Sequence, residues 1–307
     1  MASAYVRTVT WRSQAMPGKK APECDASECD WQRRADAQHC ASGCCRFALL
    51  NRDPPAIARR FTGALRLKEN AMPRHFGILV PCTNTTCEIE YCRLPLDLQV
   101  HTARLGKIDK SPFSPGLDAD VAYQSKMLGA AKVEVIAMAQ TSASLFSDDY
   151  DAVSVKRMTE ASGGIPSLTS AQAIGRALQA MGTRRIAFAT PYSEDAIARA
   201  KRYYESKYGI TVVAAESLGA TDSYMIGKMD ASMVDAVFSR IDRPDIEALV
   251  VPGGNFPTMD RIAAWEQKFG KPVITTNQAA LWAILRAMKM ATPLPGKGRL
   301  LQQLPVG

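Results

Sequence analysis

Five short segments hold most of the polar chemistry in this chain: VPCTNTT at 80–86, AQTSAS at 139–144, TPYS at 190–193, VPGGN at 251–255 and TTN at 275–277. Their Asn, Thr, Ser and Tyr side chains are neutral hydrogen-bonding groups, suited to holding carboxylate oxygens. Neither a Walker-type loop nor a dinucleotide GxGxxG turn occurs, so phosphate chemistry is disfavoured. Taken singly, each Asn, Thr or Ser after a strand also reads as an ordinary helix cap. Asn84 to Thr86 precede a helix containing Cys87, so one of them is expected to cap it whatever else it does.

Nucleophiles and bases are scarce. Cys82 sits in a strand-end loop just before a helix, where the helix dipole favours thiolate; the plainer alternative is a small packing residue. Cys87 and Cys92 fall inside the helix and are expected in the core. His75 and His101 lie before and within strands, away from loops where catalysis concentrates, and read as structural. Arg104, past the second strand, reads as a solvated surface residue more readily than as a ligand for an acid.

From His75 onward, short apolar runs alternate with amphipathic stretches, the pattern of β–α units around a mostly parallel sheet. Strands are expected at 76–81, 98–103, 133–139, 185–190, 211–215, 248–251 and 272–275. Helical spacing covers 170–181, 194–208, 231–241, 257–269 and 278–288. In open α/β sheets ligands bind beyond the carboxyl ends of the strands. The polar segments occupy those ends and so mark one pocket.

The 307 residues, 47% hydrophobic and 22% charged, suit a soluble globular chain of two packed units or one large α/β body. The chain lacks an apolar stretch long enough for a membrane span or a secretory signal, and a cytoplasmic location is expected. The net charge is +8, and residues 1–74 hold 13 Lys/Arg against 7 Asp/Glu, so the basic bias belongs to the head and the body offers no nucleic-acid motif. Residues 1–73 lack sustained periodicity and form an irregular, Cys-containing head. Cys24, Cys29, Cys40, Cys44 and Cys45 with His39 fit no standard zinc spacing, and no metal or other cofactor is expected. Met72 stands just before the first strand and offers an alternative chain start. Residues 293–307 read as a C-terminal tail.

The ordered set FGILVPCTNTTCE, VIAMAQTSASL, GGIPSLTSAQAIGRALQAMG, RIAFATPYSEDA and ALVVPGGNFPTMDRIAAWEQKFGKPVITTNQAALWAILRAM resembles the maleate cis–trans isomerase and arylmalonate decarboxylase branch of the aspartate/glutamate racemase superfamily. The resemblance covers 75–292. It implies two pseudosymmetric α/β halves, each a mostly parallel sheet flanked by helices, with a small carboxylic acid held between them and no cofactor. Racemases of this kind place one cysteine in each half, isomerases attack an alkene with one, and decarboxylases keep the second as a proton donor. The corresponding positions here are Gln140 and Gly253, neither of which can attack or deliver a proton.

By resemblance, Asn84, Thr85 and Thr86 hold one carboxylate. Thr141, Ser142, Tyr192, Gly254 and Asn255 surround the other end, and Asn277 closes the site. The leading expectation is a maleate-isomerase-like protein acting on a small dicarboxylate, with Cys82 as a displaced nucleophile. The alternatives are a non-catalytic acid-binding protein of the same fold and an arylmalonate-decarboxylase-like enzyme. A homodimer is expected on general frequency.

Overall fold

The protein is described by a computed structural model, which describes residues 73–106 and 118–302. The head's cysteines and His39 lie outside the described residues.

Two four-stranded sheets organise the body, and every strand pair in them is parallel. The first contains β1 (Arg74–Pro81), β2 (Leu98–Leu105), β3 (Ile136–Met138) and β4 (Ser167–Thr169) in the order β2-β1-β3-β4. The second contains β5 (Arg185–Thr190), β6 (Thr211–Ser217), β7 (Ala248–Val251) and β8 (Val273–Thr275) in the order β6-β5-β7-β8. The two orders are the same motif played twice, as the resemblance implies. The first half carries helices α1 (Cys87–Cys92), α2 (Asp118–Ala130), α3 (Tyr150–Ala161) and α4 (Ser170–Ala180). In the second are α5 (Glu194–Tyr208), α6 (Ser232–Ile241), α7 (Ile262–Phe269), α8 (Thr276–Ala287) and the short α9 (Arg299–Gln302).

Strand β1 shows how sequence becomes packing. Alternate residues of a strand face opposite sides, so Phe76, Ile78 and Val80 enter the main core while Leu79 enters a smaller one. On that second side Gly77 lets α2 approach closely, since a Cβ there would stand 2.8 Å from a Leu128 methyl. The main core is continuous across the halves, joining Phe76 and Ile78 to Phe188, Val250 and Ile284. Helices α4 and α8 pack against each other and tie the sheets together.

Helix starts follow local chemistry. Thr169 and Gln172 form a capping box at α4, and the Ser193 hydroxyl accepts from Ala196 N–H at α5, which then ends on Gly209 at φ 65°. Several boundaries differ from the expected pattern. Helix α7 begins at Ile262 rather than 257, because the N–H groups of Thr258 and Met259 donate to the Glu90 carboxylate instead of opening a helix. Strand β3 covers only Ile136–Met138, where it pairs with β1 and β4. Helices α2 and α3 and the three-residue β4 carry too little apolar periodicity to stand out in the sequence. His75 falls inside β1 rather than before it, and its Nδ1 lies 2.8 Å from His101 Nε2 on β2. Among the described residues no helix is long and apolar enough to cross a membrane.

Candidate active site

A narrow cavity opens where the carboxyl ends of β1, β3, β5 and β7 meet. Thr83 and Asn84 come from the loop after β1, Gln140, Thr141 and Ser142 from the loop after β3, Tyr192 from the loop after β5, and Gly253, Gly254 and Asn255 from the loop after β7. Pro81 and Ala139 add apolar wall. The remaining side is formed by Ser223 and Ile226, in the irregular segment between β6 and α6. The space it offers is about 50 Å³, which suits a small guest.

The resemblance assigns Asn84, Thr85 and Thr86 to a carboxylate, yet much of their hydrogen bonding goes elsewhere. Asn84 Oδ1 accepts from the N–H groups of Thr86 (3.0 Å) and Cys87 (3.1 Å), which makes Asn84 the group that caps α1. The Thr86 hydroxyl donates to the Asn255 carbonyl at 2.7 Å, and the Thr85 N–H donates to Asn255 Oδ1 at 2.8 Å. Asn255 Nδ2 donates in turn to the carbonyls of Ser223 (2.7 Å) and Thr83 (3.3 Å). Thr85 and Thr86 therefore stitch the first half to the second, and neither lines the cavity.

Asn277 is likewise behind the wall rather than across the opening. Its Nδ2 donates to Glu90 Oε2 (2.6 Å) and the Gly254 carbonyl (3.0 Å), and its Oδ1 accepts from the Cys87 thiol at 3.2 Å. These contacts use both its N–H groups, so the expected role of closing the site gives way to supporting the Gly254 loop. Glu90, which sequence reasoning missed, is the hub of this layer: Oε1 accepts from Thr258 N–H (2.7 Å) and Met259 N–H (2.9 Å) while Oε2 takes Asn277. Burial raises its carboxyl pKa above the ordinary glutamate range, against the opposing pull of those hydrogen bonds.

A second polar layer consists of hydroxyls. Thr141 Oγ1 lies 3.1 Å from Ser170 Oγ at the start of α4 and 3.4 Å from Thr276 Oγ1 at the start of α8. Ser170 donates to the Met138 carbonyl at 3.0 Å, and Thr276 Oγ1 accepts from Gly253 N–H at 2.8 Å. Tyr192 is buried and hydrogen-bonds Thr141; burial lifts its phenol well above the usual tyrosine value, so it stays protonated. Gln140 and Thr141 are buried, whereas Ser142 is half-buried. Two helix N-termini thus brace the hydroxyls that face the cavity.

The thiols lie away from this chemistry. Cys82 is exposed and does not line the cavity, although the loop on either side of it does. Its carbonyl and that of Asn84 accept from Arg104, which also pairs with Glu88, so Arg104 braces the loop from outside. Cys87 is buried, as expected, with its Sγ 3.0 Å from the Gly254 carbonyl. Its pKa is pushed up to about 12, chiefly by burial with the Glu90 carboxylate adding to it, so it remains a thiol. Cys92, expected in the core, is exposed at the end of the short α1. Gly253 has φ +133°, and a Cβ there would meet Pro191 Cγ at 2.9 Å. The position is committed to glycine by its backbone as well as by space.

Of the residues singled out in the sequence, the structure brings Asn84, Gln140, Thr141, Ser142, Tyr192, Gly253, Gly254 and Asn255 together around one cavity. It leaves Cys82, Thr85, Thr86 and Asn277 off the lining. Ser223 and Ile226 carried no periodicity or motif that would have revealed them. Among the described residues no group of His, Cys, Asp and Glu is arranged to hold a metal ion.

A family model described as arylmalonate decarboxylase matches residues 76–301. A maleate isomerase of Nocardia farcinica is 28% identical over 244 residues, covering 75% of this chain and 96% of its own. The arylmalonate decarboxylase of Bordetella bronchiseptica is 28% identical over 234 residues, covering 74% and 96%. In three dimensions the crystal structure of the maleate isomerase Iso from Pseudomonas putida S16 superposes with a TM-score of 0.68 at 25% identity, covering 76% of this chain and 99% of that one. The family match over residues 76–301, nearly all of the described body, places this chain in the arylmalonate decarboxylase family, in the branch that also includes the maleate isomerases.

Proposed function

We propose that the protein acts on a small carboxylic acid held in the cavity, and that its reaction is loss of carbon dioxide from a malonate-type substrate. The observation that carries this reading is the composition of the wall: eight of its residues offer neutral side-chain hydroxyls or amides, and no thiol lines it. Alkene isomerisation by addition and rotation needs an activated nucleophile, and the lining offers hydroxyls with neither a thiol nor a His, Lys, Asp or Glu beside them to activate one. Decarboxylation needs less. The bond to the departing carboxylate breaks, its electron pair passes to the α-carbon and the remaining carboxylate as an enediolate, and carbon dioxide leaves. A proton then adds to the α-carbon.

Hydrogen-bond donors fixed around the remaining carboxylate stabilise the charge that develops there. Gln140, Thr141 and Ser142 on one side, with the Gly254 backbone on the other, are the groups this proposal assigns to that task. Tyr192, kept protonated by burial, is assigned the proton transfer, and water restores its hydroxyl. Supplying malonate or methylmalonate and following carbon dioxide release tests the reading directly. Tyr192→Phe is expected to slow release by about a hundredfold. Conversion of maleate to fumarate with no release from either malonate would overturn it.

A second reading, a non-catalytic acid-binding protein, is favoured by the absence of a thiol from the cavity lining together with the resemblance, which implies that Gln140 and Gly253 stand where the family has cysteines. Thermal stabilisation by malonate without any product would select it, since a ligand at about 100 times its Kd adds roughly 2.7 kcal/mol whether or not it reacts.

A further inference from the structure

A wider groove, about 560 Å³, lies at the opposite end of the molecule's strands from the catalytic cavity. Its first wall is the amino-terminal edge of the first sheet, where Pro166 and Leu168 enter β4 and Val135 precedes β3. Its other walls are the later turns of α4 and α8, including Trp282, with Arg176 and Arg286 on them. The lining is mainly apolar, yet it includes two exposed guanidinium groups from two different helices. Arg286 stands over the Trp282 ring at 5.1 Å, a cation–π contact that orients its side chain.

Neither arginine is neutralised by a carboxylate: Arg286 rests on the Trp282 ring and Arg176 lies near the Tyr208 hydroxyl. Among the described residues neither Arg176 nor Arg286 forms an ion pair. Favourable interaction with the helix dipole explains a cation in the last turn of α8, where Arg286 sits, but α4 has no basic residue in its last turn. Arg176 lies earlier on α4, on the side that faces the groove.

We propose that this groove is a second binding site, for a monocarboxylate with an aromatic body. Trp282 and the aliphatic wall suit the apolar body, and the guanidinium fork matches a carboxylate in two parallel hydrogen bonds. The volume falls within the range of about 300–1,000 Å³ usual for small-molecule pockets, whereas the catalytic cavity is far narrower. The proposal stands apart from the reaction proposed above and does not depend on it.

Calorimetric titration with 2-naphthoate tests it, with 2-naphthamide as the uncharged control. Saturable binding of naphthoate, with the amide weaker by about tenfold or more, is expected. Arg176→Gln and Arg286→Gln should each weaken naphthoate by about tenfold while leaving the melting temperature and malonate binding unchanged. Tyr192→Phe should leave naphthoate affinity as it is. Three results would overturn the proposal: no saturable binding; binding lost in Tyr192→Phe but kept in the arginine variants, which places the probe in the catalytic cavity; or a dimer in solution that Arg286→Glu dissociates, which assigns the groove to a second copy of the chain.

Discussion

The loop after β3 and the loop after β7 occupy equivalent places in the two sheets, and they equip the cavity in opposite ways. The first contributes side chains, Gln140, Thr141 and Ser142, on backbone that any residue can adopt: Gln140 has φ −133° and ψ 78°. The second contributes backbone, with Gly253 at φ +133° wedged against Pro191 and Gly254 held from behind by Asn277 and Cys87. Helices α4 and α8 repeat the difference, since both start on Thr-x-x-Gln but Ser170 braces a side chain of the first loop while Thr276 braces the Gly253 N–H of the second. The paired loops have thus divided their labour: the one after β3 offers exchangeable side chains, while the one after β7 adds a fixed glycine backbone surface beside Asn255.

The strongest test of that division targets the support of the second loop. Glu90→Ala removes the acceptor for Thr258, Met259 and Asn277 together and is expected to cost about 3 kcal/mol in urea unfolding, with malonate affinity falling as well. Glu90→Gln adds a pH signature. A carboxyl whose folded pKa is raised gives stability that is complete below its unfolded pKa of about 4.3 and is lost as pH rises through the folded value. The stability of the wild type relative to Glu90→Gln should therefore be greatest in acid and decline as pH rises above the ordinary glutamate range; an advantage that grows with pH would contradict the raised pKa.

Placing a thiol in each half comes next. Gly253→Cys should destabilise by about 2 kcal/mol through its positive φ and the contact with Pro191, and should not confer maleate isomerisation. Gln140→Cys, on unstrained backbone, should cost less by urea unfolding. Equal costs would remove the asymmetry on which the comparison rests.

Tyr192→Phe is expected to change stability by about 1 kcal/mol, the usual worth of one buried hydrogen bond, alongside its larger effect on turnover. The smallest effect belongs to Cys82→Ala. An exposed side chain off the cavity lining should alter stability by less than about 0.5 kcal/mol and leave carbon dioxide release unchanged. A tenfold loss of rate in that variant would return the thiol to the mechanism.

Much of the fold was legible because local physics suffices for it. Helix α5 follows its expected bounds, Glu194–Tyr208, since Ser193 caps one end and Gly209 terminates the other. Strand β7 does too, as a short apolar run between polar turns. Helix α7 shows the limit, because its first turn is given up to a carboxylate 168 residues away, a competition that no local window contains.

For the site, the sequence determined the supply of neutral donors at strand ends, the absence of standard phosphate and zinc patterns, and the repeated β–α order that brings those ends together. Tertiary structure decided which donors face the cavity. Asn255, Thr86 and Asn277 are as polar as Thr141 and Gln140, but packing one half against the other turned much of their hydrogen bonding to joining loops. It also set Cys82 outside the wall and brought Ser223 and Ile226 into it. A residue type fixes which hydrogen bonds a side chain can make; only the folded neighbours fix which ones it does make, because a buried polar group takes whatever partner the chain's packing leaves within reach.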